Sequence, residues 1–360
     1  MIILNDLHLG CVRRGGVTTS SQEALRTYIF EQFNALLEKA NGHDLCLLGD
    51  IFDGYEIAPR DWLQAYLMLE AWCRKNKEHK CILVAGNHDV SSKGDRVSSF
   101  ETLTSVLVLQ HSNVCVVGID DVHLYNGNTW IVAHHRNQDV FELHLNKVLE
   151  AVQPGDFVLL HANFSNCFAE ASDHSLSISD EQAYAFNKKG VTLVFAHEHQ
   201  HRVEKFPHED TGRFGQVVVL GNQYPTSISD CLGNNEKFYW TLGDGHLQKF
   251  STWFHGGEFG YQALDWQHLD EASESAKFIR IVGDATNAEA AQVIDAIHKF
   301  RQRSQAFVVT NAVKIDGIAE MGDLPSTFEV AKKFDVMEFV YKQLDPAEAE
   351  VIRGIVGEME

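Results

Sequence analysis

The sequence predicts an α/β protein built on a parallel sheet, and three observations carry that expectation. Short apolar runs alternate with helix-patterned segments in strand–helix–strand order, as right-handed crossovers require. Each run ends in a cluster of polar residues, which is where ligands collect in open α/β sheets. A chain of 360 residues, 44% of them hydrophobic, has the length for two domains and the apolar content for a sizeable core.

The elements follow in order. Ile2–Leu4 reads as the first strand. Ser20-Ser21-Gln22-Glu23 offers a capping box with Ser20 as cap, and the helix behind it runs to about Ala40. Leu25, Ile29, Phe33, Leu36, Leu37 and Ala40 share its apolar face. Leu45–Leu48 is a second strand. A second helix spans about Asp61 to Asn76, with Leu63, Tyr66, Leu67 and Ala71 facing inward. Ile82–Ala85 is a third strand. Asn126-Gly127 reads as a hairpin turn between Val122–Tyr125 and Thr129–Val132. A helix from about Gln138 to Val152 precedes the strand Phe157–Leu160, and Leu193–Ala196 is another strand. From His197 onward the pattern is all strand: Arg202–Phe206, Gln216–Leu220, Lys237–Thr241 and Leu247–Phe250. After about Gln267 a β-α-β module follows, with strand Lys277–Val282, helix Asn287–Arg301 and strand Ala306–Val313.

Five of the strands end on metal-ligand side chains. The blocks are Asp6-Leu7-His8, Gly49-Asp50-Ile51-Phe52-Asp53, Gly86-Asn87-His88-Asp89, His161, and His197-Glu198-His199. Singly, an Asp after a strand is most often a cap or turn residue, and a lone His is more often a surface residue. Their joint placement outweighs those readings. Carboxylate, imidazole and amide oxygen together suit two divalent ions, and the matching chemistry is metal-assisted phosphoester hydrolysis. His134-His135 follows a strand but fits no such block, and His201 reads as an exposed strand residue.

The order of the blocks resembles the calcineurin-like metallophosphoesterase superfamily: D-x-H, G-D-x-x-D/H, G-N-H-D/E, a lone His, then G-H-x-H. Only Ala196 departs, standing where Gly is usual. The resemblance implies a four-layer β-sandwich flanked by helices, with two metals bridged by Asp50. Asp6, His8 and His199 would complete one site, and Asn87, His161 and His197 the other. His88 would act on the scissile phosphate and stabilise or protonate the leaving oxygen. Asp53 would lie behind the ligands or on the substrate side. Ligands without thiolate favour Mn2+, with Mg2+, Fe2+ and Zn2+ as the other candidates.

Within the superfamily, Gly49–Asp53, Gly221-Asn222-Gln223-Tyr224-Pro225-Thr226-Ser227 and Lys237-Phe238 resemble the SbcD-type subunit of bacterial and phage recombination nucleases, relatives of the eukaryotic meiotic-recombination nuclease. That resemblance implies a nuclease domain over residues 1–267, a smaller α/β capping domain over 268–322, and a helical tail over 323–360 that docks on an SMC-like, SbcC-like ABC-type ATPase. Phe334, Phe339, Leu344 and Ile352 lie in an unusually apolar tail that needs cover. DNA is the expected substrate, with hydrolysis of small or cyclic diesters as the alternative and a homodimer as the alternative assembly. The net charge of −20 counts against a broad basic nucleic-acid surface, so a partner would supply it. Arg13 and Arg14 are candidate phosphate contacts in the Cys11–Thr19 loop, and the Asn163–Ser179 loop is a candidate binding element. No basic leader precedes the first strand and no apolar run is long enough to span a bilayer, so no membrane is expected. The seven Cys lack C-x-x-C spacing, as expected of reduced thiols in a cytoplasm, whether the cell's own or a phage's host.

Overall fold

The computed structural model describes residues 1–12, 18–91, 96–164, 175–206, 215–232, 236–253 and 260–316. The expected tail, the Arg13-Arg14 pair and the middle of the loop after His161 lie outside these residues.

Two six-stranded sheets hold most of the described strands. The first joins β1 (Ile2–Leu4), β2 (Leu45–Leu48), β3 (Cys81–Val84) and β4 (Val114–Val117), all parallel. β13 (Lys237–Gly243) adds antiparallel to β1, and β14 (His246–Trp253) adds antiparallel to β13. The second sheet takes β5 (Val122–Tyr125), β6 (Thr129–Val132), β7 (Phe157–His161), β10 (Thr192–Ala196), β11 (Arg202–Phe206) and β12 (Gly215–Val219), in the order β11-β12-β10-β7-β6-β5. Its four central strands are parallel, and β11 and β5 close the edges antiparallel. The turn between β5 and β6 holds Asn126 at φ 50° and Gly127 at φ 77°, the left-handed pair that the Asn-Gly dipeptide supplies. A short pair, β8 (Asn163–Phe164) and β9 (Ser177–Ile178), follows β7.

Side-chain alternation along the strands sorts the core into layers. In β7, Leu159 joins one apolar cluster, while Val158 and Leu160 join the other. In β10, Val194 faces the first and Leu193 and Phe195 the second. The first cluster lies between the sheets and under α1 (Thr19–Lys39), α2 (Pro59–Lys75) and α3 (Ser99–Gln110). The second lies under α4 (Gln138–Ala151) and α5 (Asp180–Lys188). Helix, sheet, sheet, helix is the expected sandwich.

Local details depart from the sequence reading at two helices. Thr18 caps α1, its hydroxyl accepting from the Ser21 amide at 3.2 Å, so the expected cap Ser20 lies inside the helix. In α2 the buried face is Ala65, Leu69, Trp72 and Cys73, and Leu63 and Leu67 are about half exposed. The segment Asp61–Cys73 carries two apolar stripes, and the one containing Trp72 buries the larger side chain.

The chain divides into two compact units, Met1–Val282 with Ile294–Ala312, and Gly283–Val293 with Val313–Glu360. In the first, β15 (Tyr261–Asp265), β16 (Phe278–Val282) and β18 (Val308–Asn311) form a parallel three-stranded sheet in the order β15-β16-β18. Phe307, just before β18, stacks on Tyr28 of α1 at 5.2 Å, and Phe278 meets Tyr28 edge-on at 6.5 Å. Burying aromatic side chains of this size stabilises by about 1.5–3 kcal/mol each. In the second unit, β17 (Asp284–Ala285) pairs parallel with β19 (Lys314–Ile315). Among the described residues the remaining α-helix is α6 (Ala290–Arg303). No described helix is long and apolar enough to cross a membrane.

Candidate metal centre

The carboxyl ends of β1, β2, β3, β7 and β10 converge, because the first three belong to one sheet and the last two to the other, and the sheets face each other. Ligand atoms gather there in three overlapping groups, each within 4.8 Å: Asp6, His8 and His199; His8, Asp50 and His88; Asp50, His161 and His197. Asp50 belongs to two of the groups. Asn87 joins through its Oδ1, 3.0 Å from His161 Nε2, and Asp50 Oδ1 lies 3.2 Å from the same nitrogen.

The backbone is bent to make this possible. Asp6 (φ 49°), His8 (φ 47°), Asp50 (φ 48°) and His197 (φ 89°) all occupy the left-handed region. Non-glycine residues there cost on the order of 1–3 kcal/mol each, and such outliers cluster at functional sites. Two glycines make room. A Cβ on Gly49 would fall on the His161 ring, and one on Gly86 would fall on the Asp50 carboxylate.

The imidazoles are oriented through Nδ1. His161 Nδ1 meets the Leu48 carbonyl at 3.2 Å, His199 Nδ1 meets Asp230 Oδ1 at 2.8 Å, and His8 Nδ1 lies 3.3 Å from Asp53 Oδ1. A carbonyl or carboxylate only accepts, so the Nδ1 atoms of His161 and His199 donate. His8 Nε2 and His199 Nε2 then face each other at 3.0 Å. Two ring nitrogens at that distance need a cation or a proton between them. Beside them Asp6 Oδ1 is buried without a hydrogen-bond partner. These donors fit a divalent ion.

Electrostatics agree. Burial alone would raise the Asp50 carboxyl, but His161, His88 and His8 outweigh it and hold Asp50 well below the usual carboxylate range. Burial alone would lower His161, but Asp50 and Asp6 beside it raise it to about 9. His88 is likewise raised by Asp50 against burial. The His88 ring is anchored by Nδ1 on the Asp53 carbonyl at 2.9 Å, and its backbone N–H donates to Asp50 Oδ1 at 3.0 Å.

Other residues build the frame. Asp89 is fully buried and accepts from the amides of Ile51, Phe52 and Gly86 at 3.0–3.1 Å, tying the second block to the third. Burial and then Asp50 raise its carboxyl to about 7. Glu198 accepts from the Phe164 amide at 2.9 Å and pairs with Arg202, so the last block is tied to the segment after His161. Asp230 and His134 were not assigned to the site by the sequence. Asp230 is remote from His199 along the chain. His134 had a signal, since it follows β6, the neighbour of β7. It is buried, and burial and then His161 push its ring down to about 3. His201 is half-buried, with Nδ1 on the Val219 carbonyl at 2.7 Å, and is not the exposed strand residue expected.

The calcineurin-like phosphoesterase family model matches residues 1–201. No curated protein matches the chain. Among solved structures, a hypothetical protein from Thermus thermophilus is similar at a TM-score of 0.36 and 10% identity, over 71% of this chain and 99% of its own.

Proposed function

This chain belongs to the calcineurin-like phosphoesterase family, and from that premise we propose that it is a DNA phosphodiesterase of the SbcD type. The observation that carries the proposal is how the Gly221–Ser227 segment is wired. This segment resembles the DNA-acting relatives, and it forms part of the frame of the metal centre. Gln223 donates to Asn5 Oδ1 at 2.8 Å, Tyr224 donates to the Leu7 carbonyl at 2.8 Å, and the amides of Thr226 and Ser227 donate to Asp230 at 2.8 and 3.0 Å. Asp230 in turn holds His199.

Asp6, His8, Asp50, Asn87, His161, His197 and His199 are the residues that would hold two divalent ions. When bound, these ions would neutralise phosphate charge and acidify water. Manganese suits the donor set. Asp50, common to two ligand groups, would bridge them. Asp50 raises the His88 ring against burial, and with Nδ1 fixed on the Asp53 carbonyl, Nε2 would be the atom that gives a proton to the leaving oxygen. Asp53 steadies both His8 and His88. On this reading residues 268–322 would act as a capping domain that selects DNA, and residues 323–360 would dock an SMC-like ATPase that supplies basic surface to a chain of net charge −20.

The test is incubation of purified protein with Mn2+ and linear or hairpin DNA at low salt, beside a small chromogenic diester. Cleavage of both substrates, with DNA products from ends or single strands, is expected. Cleavage of the diester with no DNA product would make the chain a small-molecule phosphodiesterase instead.

A further inference from the structure

We infer that two buried groups of opposite charge, Asp230 and Lys237, together position His199 for the metal ion it shares with Asp6 and His8. The inference rests on the metal reading of this site. Neither residue is a ligand; both act through His199.

Asp230 and Lys237 are each 1% exposed. Asp230 Oδ1 lies 2.8 Å from His199 Nδ1. Its other oxygen accepts from the Thr226 amide at 2.8 Å, the Thr226 hydroxyl at 3.0 Å and the Ser227 amide at 3.0 Å. Three donors on one oxygen leave the carboxylate a single orientation, and the free oxygen is the one on the ring. Lys237 Nζ donates to the His199 carbonyl at 3.0 Å. One residue is thus held at its ring by an anion and at its backbone by a cation. Lys237 opens β13, which pairs with β1, the strand that leads to Asp6 and His8. The clamp is therefore built onto the strand that carries the partner ligands.

An isolated charge at this depth is strongly unfavourable; Asp230 is held by His199 and then by Lys237, and Asp230 in turn favours the charged form of Lys237. A pair whose only role was to fill the core could be replaced by apolar side chains without consequence. What apolar side chains cannot do is fix the proton on Nδ1 and raise the basicity of Nε2. A carboxylate behind a ligating histidine does both, and losing such a partner typically lowers metal affinity about 10- to 100-fold. The Nε2 so prepared is the one that faces His8 Nε2 at 3.0 Å.

The experiment is calorimetric titration of metal-free protein with Mn2+ alone, together with its thermal melting. Wild type is compared with Asp230→Asn and with the charge-neutral double variant Asp230→Asn/Lys237→Met. Wild type should take two ions. The double variant should melt close to wild type, because it leaves no unpaired buried charge. Its affinity should fall about 10- to 100-fold at one site and stay unchanged at the other. Two undiminished sites in the folded double variant would overturn this inference alone. Equal weakening of both sites would also overturn it, because that is what general loosening does. A wild type that takes no manganese would overturn the metal reading and this inference with it. Should the double variant not fold, Asp230→Glu, which keeps the charge but displaces it, serves the same comparison.

Discussion

The loops beyond β1, β2, β3, β7 and β10 and the sheet β15-β16-β18 rest on the same kind of parallel strand and use it oppositely. Among the described residues, the first region holds Asp6, His8, Asp50 and His197 in left-handed backbone and gathers buried carboxylates and imidazoles. The second has no non-glycine residue at positive φ and buries Phe278, Ile279, Ile281, Val308 and Val309. Strained backbone and bare polar atoms cost stability, while apolar burial contributes it. The strand ends of the two large sheets are arranged for chemistry at the expense of stability, and the smaller sheet is not. Single changes in the two regions should therefore have different consequences.

The largest effect at the metal centre should come from Asp50→Ala. It removes a group common to two ligand clusters, so manganese occupancy should fall at both sites. Diester hydrolysis should fall about 1,000-fold or more, the equivalent of several kcal/mol of transition-state stabilisation. The metal-free variant should still fold, since Asp50 is a buried charge. A variant that retains two ions and near wild-type turnover would remove the contrast between the regions. Next is His88→Gln, expected to lower diester hydrolysis about 100- to 10,000-fold with both ions still bound. A lost ion by metal analysis would move His88 into the ligand set.

A smaller effect concerns pH. In the metal-free chain Asp50 raises His161 from 6.5 to about 9, so metal must displace a proton at neutral pH. Affinity for manganese, followed by titration, should rise up to about tenfold per pH unit as pH approaches 9 and then level off. The same shift stabilises the metal-free fold fully below about 6.5, and that stability is lost as pH rises through about 9. Affinity independent of pH between 6 and 8 would mean that His161 does not give up a proton. The smallest effect at the site should come from Phe307→Ala. It should cost about 3–5 kcal/mol of stability by chemical denaturation, yet leave manganese stoichiometry and diester turnover per folded molecule unchanged. A matching fall in turnover would mean that the smaller sheet supports the metal centre directly.

Much of this arrangement is legible in the sequence because its signals are local. A strand followed by D-x-H or G-N-H-D announces both an element and a side chain at its end, and these side chains do stand together in the structure. What is not local is harder to read. Asp230 reaches His199 only because the chain turns at Pro225–Ser227 and the Thr226 and Ser227 amides fold onto the carboxylate. Asp89 stands in a recognised block, but its three amide partners come from two different loops. The α2 face differs from the expected one because two apolar stripes compete along one helix, and only packing chooses between them. The α1 cap is Thr18 and not Ser20 because hydroxyls two residues apart offer the same chemistry.

Anomalous diffraction from crystals of the wild-type chain soaked in Mn2+ would locate the ions themselves. Two peaks flanking the Asp50 carboxylate are expected, one against Asp6, His8 and His199 and one against Asn87, His161 and His197. A single peak, or none at Asp50, would contradict a two-metal centre.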